Sequence, residues 1–170
     1  MSTQLLRYLK NVGWLVIPVL LWNAALSSRL PDSLSPEVFW FNIPALLSTT
    51  ENAFRIAIFA LPFFAPFELV TRSQKIGIAI FGIGLTTYFV SWLPLIAAPD
   101  SYWSHSVVGF LAPAYTPLIW LLGMALLMQR LHWPSPYRWW FYLVLSIGFL
   151  AAHIAHATIV FTRLHNVGGS

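Results

Sequence analysis

Two histidines stand one helical turn apart in an otherwise apolar stretch, Ala151-Ala152-His153-Ile154-Ala155-His156-Ala157. A spacing of three residues sets their rings about 60° apart around a helix, so both can line one pocket. Imidazole titrates near neutral pH, which makes His153 and His156 candidates for general acid and base catalysis. Four other residues are candidates to join them in binding a ligand: Glu51, Arg55, Asp100 and His105. Arg55 suits an anionic headgroup, while the carboxylates and third imidazole would supply polar contacts. No metal is assigned, because the i,i+3 spacing matches no zinc motif and lacks the Glu that such motifs carry. No other cofactor is implied.

Plainer roles compete for the same residues. The histidines would also serve as neutral imidazoles bonded across helices, with Gly148, Ala152 and Ala155 allowing close approach. Glu51 and Arg55 have the spacing of an ordinary helical ion pair, and Ser48 with Glu51 reads as a capping box. Glu68 is expected to pair with Arg72, its i+4 neighbour, and His132 and His165 to be solvated.

The medium around these groups follows from composition. Hydrophobic residues make up 58% of the 170 and charged residues 8%, against about 25% charged in a soluble domain. Mean hydropathy is +0.72. The expectation is a single all-α domain over 1–170, a polytopic membrane helix bundle of about five transmembrane helices, since each crossing takes roughly 20 apolar residues. Absence of cysteine excludes disulfides, iron–sulfur clusters and thiolate zinc sites. The net charge of +4 comes from scattered basic residues, which argues against a nucleic-acid partner.

Five apolar runs would position the candidates. The first is predicted over Val12 to Leu26, extendable back through Leu5, Leu6 and Leu9. No good cleavage site closes it before Ser27 and Ser28, so the amino terminus is expected to stay attached. The second opens at Ser48-Thr49-Thr50-Glu51 and continues through Pro62 and Pro66 to Glu68 and Val70. The third covers Ile76 to Ala97, with Gly77, Gly82 and Gly84 for helix packing in lipid. The fourth runs from Ser106 to Met128 and the fifth from Trp139 to Phe161. Between the first two, Val38-Phe39-Trp40-Phe41 is too short to span and reads as an interfacial segment that caps a cavity. The terminal Gly-Gly-Ser carries no weight in this reading.

Basic residues orient the runs. With the amino terminus cytoplasmic and the carboxyl terminus outside, Arg7, Lys10, Arg72, Lys75, Arg130 and Arg138 lie inside, and only Arg29, Arg55 and Arg163 outside. The acids Asp32, Glu37, Glu51 and Asp100 are then outside too. All six candidates fall on the outer flank, and ionisable groups at membrane depth normally face a cavity or a partner.

Prolines add to the expectation of a cavity. Pro62 and Pro113 each remove an amide and free the carbonyl four residues back, at Ile58 and Gly109. In lipid those carbonyls need donors, for which Thr86, Thr87, Tyr88, Tyr115 and Thr116 are available.

Leu61-Pro62-Phe63-Phe64 and Ala112-Pro113-Ala114-Tyr115 leading to Pro117 resemble segments of emopamil-binding-type proteins, over about half of the chain. The acidic residues expected within those helices are missing, with Asn23 nearest to the first, so no functional residue is carried over. The size and the nine tryptophans are similar to tryptophan-rich sensory proteins, whose signature motifs are absent. Both resemblances imply lipophilic ligands. The functional expectation is a small protein of the cell membrane, the inner membrane if bacterial, binding a lipid-like molecule in an outer-leaflet pocket. The alternatives are an intramembrane enzyme using histidine acid-base or metal-assisted chemistry, and an accessory subunit of a larger membrane partner. A homo-oligomer is compatible with each.

Overall fold

The computed structural model describes residues 9–27, 29–31 and 34–167, and the side chains among them to His165. Leu5, Leu6, Arg7, Ser28, Asp32 and the terminal Gly-Gly-Ser, named above, lie outside the described residues. Every regular element described is helical. A 3₁₀ turn, Val12–Val16, leads into α1 (Ile17–Ser27), followed by short α2 (Pro36–Trp40) and α3 (Ala45–Ala60). After α4 (Arg72–Ala97) come four pieces, α5 (Tyr102–His105), α6 (Val107–Phe110), α7 (Ala112–Tyr115) and α8 (Pro117–Leu127), and then α9 (Trp139–Val167).

Two helices, Arg72–Ala97 and Trp139–His165, are long and apolar enough to cross a membrane. The 26 residues of α4 extend about 39 Å at 1.5 Å each, against a hydrocarbon core of about 30 Å. Val12–Ser27 and Ala112–Leu127 are shorter apolar segments.

Several expected boundaries move, the start of the third run from Ile76 to Arg72 and the end of the fifth from Phe161 to Val167 among them; three moves have a local reason. The second run ends as an α-helix at Ala60 because Pro62 cannot continue the amide ladder; Leu61–Phe64 tightens to 3₁₀ and the chain beyond is irregular. The fourth run breaks into α6, α7 and α8, with Pro113 and Pro117 in the first turns of the last two, where a missing N–H does no harm. The capping box is not at Ser48 and Glu51: α3 starts one turn earlier, after Pro44, so Glu51 lies inside it. The box occurs instead at the start of α4, where Thr71 Oγ1 accepts from the Gln74 amide and Gln74 Oε1 accepts from the Thr71 amide.

Helix pairing is antiparallel where the packing is closest. On α4, Gly77 and Gly84 face α8, and Gly123 of α8 faces Phe81. A Cβ on Gly77 would come within 2.8 Å of the Gly123 carbonyl, and one on Gly84 would overlap the Ile119 and Trp120 backbone. Gly82, expected to pack as well, faces open space. Against α9, α3 brings Phe54 onto Gly148, and Tyr142 donates to the Ile58 carbonyl at 3.1 Å. That is the carbonyl freed by Pro62, satisfied by a residue outside the expected donors. Of those, Tyr115 donates to Val108 and Thr116 to Ala112.

Loops gather at two ends. At one, the Val12 amide bonds the Ala65 carbonyl, Phe67 bonds Lys10, and His132 bonds Phe64. Glu68 pairs there with Arg130 at 2.6 Å, not with Arg72 as expected, and His132 is buried, not solvated. At the other end, Arg163 donates to the carbonyls of Val38 and Phe41, and the His105 and His165 rings meet at 5.9 Å.

Candidate functional site

Glu51 is the centre of the site. Its side chain is 0% exposed, on the face of α3 that also holds Phe54, Arg55 and Ile58. Opposite, α9 presents a stripe at spacings of seven, four and three: Tyr142, Phe149, His153 and His156. Those intervals keep side chains on one helical face. Antiparallel pairing therefore sets two imidazoles against one carboxylate.

Both carboxylate oxygens are used. Oε1 lies 2.9 Å from His153 Nδ1 and also accepts from Arg55 Nη2; Oε2 lies 2.6 Å from His156 Nδ1. Arg55 Nη1 donates to Asn52 Oδ1 at 3.1 Å. Nε2 of His156, a fully buried residue, lies 3.0 Å from the Phe39 carbonyl.

Protonation follows from these partners. A carbonyl only accepts, so His156 Nε2 must carry hydrogen. His156 Nδ1 and Glu51 Oε2 then share one proton, giving either imidazolium and carboxylate or neutral imidazole and carboxylic acid. Both forms together are neutral. His153 donates through Nδ1 to Oε1, and its Nε2 has no hydrogen-bond partner among the described residues.

Aromatic rings wall the cluster. His156 lies 4.4 Å from the Phe39 ring and 4.6 Å from Trp40, and His153 stacks on Phe149 at 5.2 Å. Arg55 sits over Trp40 and Phe149, 5.4 and 5.8 Å from their centroids. Ser35 caps α2, and Asn42 ends the segment in a left-handed conformation, φ 51°, which Asn tolerates better than most residues. The predicted interfacial patch thus lies over the cluster.

Two cavities adjoin it. One, about 210 Å³, is lined by Leu34, Phe39, Trp40, Leu95 and Phe110 among others; the second, about 340 Å³, by Asn23, Arg55, Tyr88, Trp120 and Phe149 among others. Leu30, Trp92, Pro113 and His153 line both. Linings are largely apolar with a few polar groups, as in small-molecule sites. Within the second cavity Tyr88 donates to Asn23 Oδ1 at 2.5 Å.

Of the six candidates, Glu51, Arg55, His153 and His156 converge. Asp100 and His105 do not join them. Asp100 is exposed in the turn after α4 with no side-chain bond or ion pair among the described residues, and exposed His105 meets His165. The α5 turn is held by Ser104, which bonds back to Pro94 and Ala98. Among the described residues no group of three or more His, Cys, Asp or Glu is arranged to hold a metal ion. Sequence reasoning missed Tyr142 and Phe149, whose signal was the stripe they share with the histidines. It also missed the Asn23–Tyr88 pair, 65 residues apart, for which no local signal exists. No protein-family model, curated protein or solved structure matches the chain.

Proposed function

We propose that this is a multi-pass membrane protein with five crossings and a cytoplasmic amino terminus, binding a lipid-like molecule in the cleft beside Glu51, His153 and His156. Support for the crossings comes from the two loop ends. Lys10, Arg72, Lys75, Arg130 and Arg138 belong to the first end and Arg163 to the second, as the positive-inside rule asks of alternating segments. Large apolar side chains such as Leu21, Ile56, Ile83, Val144 and Ile147 face outward, where acyl chains would cover them.

One observation carries the binding reading: His153 belongs to both cavities, with Nδ1 anchored on buried Glu51 and Nε2 left for a ligand. Only 21% of its side chain is exposed, so any partner must be small or inserted between helices. Mass spectrometry of lipids released from purified protein tests this. His153→Ala should melt within a few degrees of the wild type yet release a tenth or less of the co-purified lipophile. Equal amounts from both proteins would reject the cleft as the site.

Acid-base catalysis on the same molecule is the second reading, favoured by the proton shared between Glu51 and His156. Proton movement there changes what Oε1 offers to His153, which would deliver or take a proton through Nε2. Incubation with the released lipophile in deuterated buffer should exchange deuterium into it, and His153→Ala should not. An unlabelled product from the wild type would leave binding as the function.

A further inference from the structure

We propose that the ligand is an anionic amphiphile: one oxyanion head, carboxylate or phosphate ester, on a hydrocarbon chain, with the head held by Arg55 and His153. This rests on the cleft being a lipophile site. The chain would lie among Phe39, Trp92, Leu95 and Phe110.

Charge accounting leads to the head. Glu51 and His156 are neutral as a pair wherever their proton sits, because Phe39 demands a hydrogen on Nε2. Glu51 therefore cannot also neutralise Arg55, although it bonds to it. Among the described residues the other carboxylates do not help: Glu37 is exposed on α2, Asp100 is exposed in the turn after α4, and Glu68 pairs with Arg130 at the far end. Arg163, the other cation near α2, adds to the positive side. Among the described residues Arg55 thus brings a positive charge with no counter-charge of its own into a mostly apolar cleft.

Hydrogen-bond capacity points the same way. Guanidinium has five N–H donors, and Arg55 uses one on Glu51 and one on Asn52. The remaining three have no acceptor among the described residues, while 30% of the side chain is exposed and it lines the larger cavity. Ring faces of Trp40 and Phe149 offset part of the charge but accept little hydrogen bonding. Oxyanions match a guanidinium fork directly. Entering as an acid, the head would pass its proton to His153 Nε2 and stay as an anion between imidazolium and guanidinium.

Delipidated full-length protein in zwitterionic phosphatidylcholine nanodiscs provides the test, with tryptophan fluorescence as readout because Trp40 and Trp92 line the cleft. Oleate, oleyl phosphate, oleyl alcohol and oleylamine are titrated as mole fractions of lipid. One or both anions should bind at least tenfold more tightly than the alcohol, and the amine more weakly still; the tighter anion names the head. Arg55→Gln should erase the preference while alcohol binding persists, and Arg55→Lys, which keeps the charge, should retain part of it. Should Arg55→Gln not fold, the wild-type series decides alone. Alcohol or amine binding as tightly as both anions overturns the anionic head and leaves the lipophile site standing. No saturable binding by any of the four overturns both.

Discussion

Between α4 and α8 the backbones touch. Gly77, Gly84 and Gly123 leave no space a side chain could enter, so close dispersion contact dominates there. Between α3 and α9 the links are polar: Glu51 to two histidines, and Tyr142 to the Ile58 carbonyl. Lipid tails give helices no hydrophobic reason to associate, so both close packing and interhelical hydrogen bonds serve as glue in membranes. Their by-products differ. Around Gly77 and Gly123 the first seam is closed, whereas the polar seam borders cavities and leaves charge and an unused imidazole nitrogen at their walls.

The largest effect that would break this contrast is Glu51→Ala. Its loss strands a buried histidine and Arg55 without their acceptor, and breaking a buried charged network typically costs about 3–5 kcal/mol. Unfolding in mixed micelles should register that loss; a change below about 1 kcal/mol would mean the seam is held by its apolar contacts. Next comes Gly77→Leu, which forces α4 from α8 at a point away from both cavities and should cost about 1–3 kcal/mol while ligand affinity in surviving protein stays within twofold. Equal losses of stability and binding would show that the two seams are not separable. Smallest is Tyr142→Phe, which deprives the Ile58 carbonyl of its donor. About 0.6 kcal/mol is expected, from double-mutant averages for hydrogen bonds between membrane helices, read from the same unfolding curves. No change at all would indicate that water or a shifted amide satisfies that carbonyl.

Part of the site was legible before the fold. Arg55 and Glu51 share a helical face by spacing, and His153 and His156 do likewise, so two half-sites follow from periodicity. That Val38 to Phe41 could cover a cavity followed from its aromatic content and its bracketing by Pro36 and Pro44. Asp100 and His105 were grouped with the rest only by leaflet, and a shared depth says nothing about which side of a helix a group faces. The capping box at Ser48 was misplaced because the pattern ignores Pro44, whose fixed φ starts α3 earlier. The partner of Glu68 was sought locally, yet Arg130 comes from 62 residues away.

By itself the sequence determined the helical class, the apolar composition and the identity of the groups able to do chemistry, because composition and period are local properties of the chain. Tertiary structure alone decided which of them meet. The register of α3 against α9 brought Glu51 between His153 and His156, and the fold of α2 supplied the Phe39 carbonyl that fixes where a proton must be. A one-turn slip of that register would keep every helix and every residue and lose the site, since hydrogen bonds act over about 3 Å and a helical turn is about 5.4 Å.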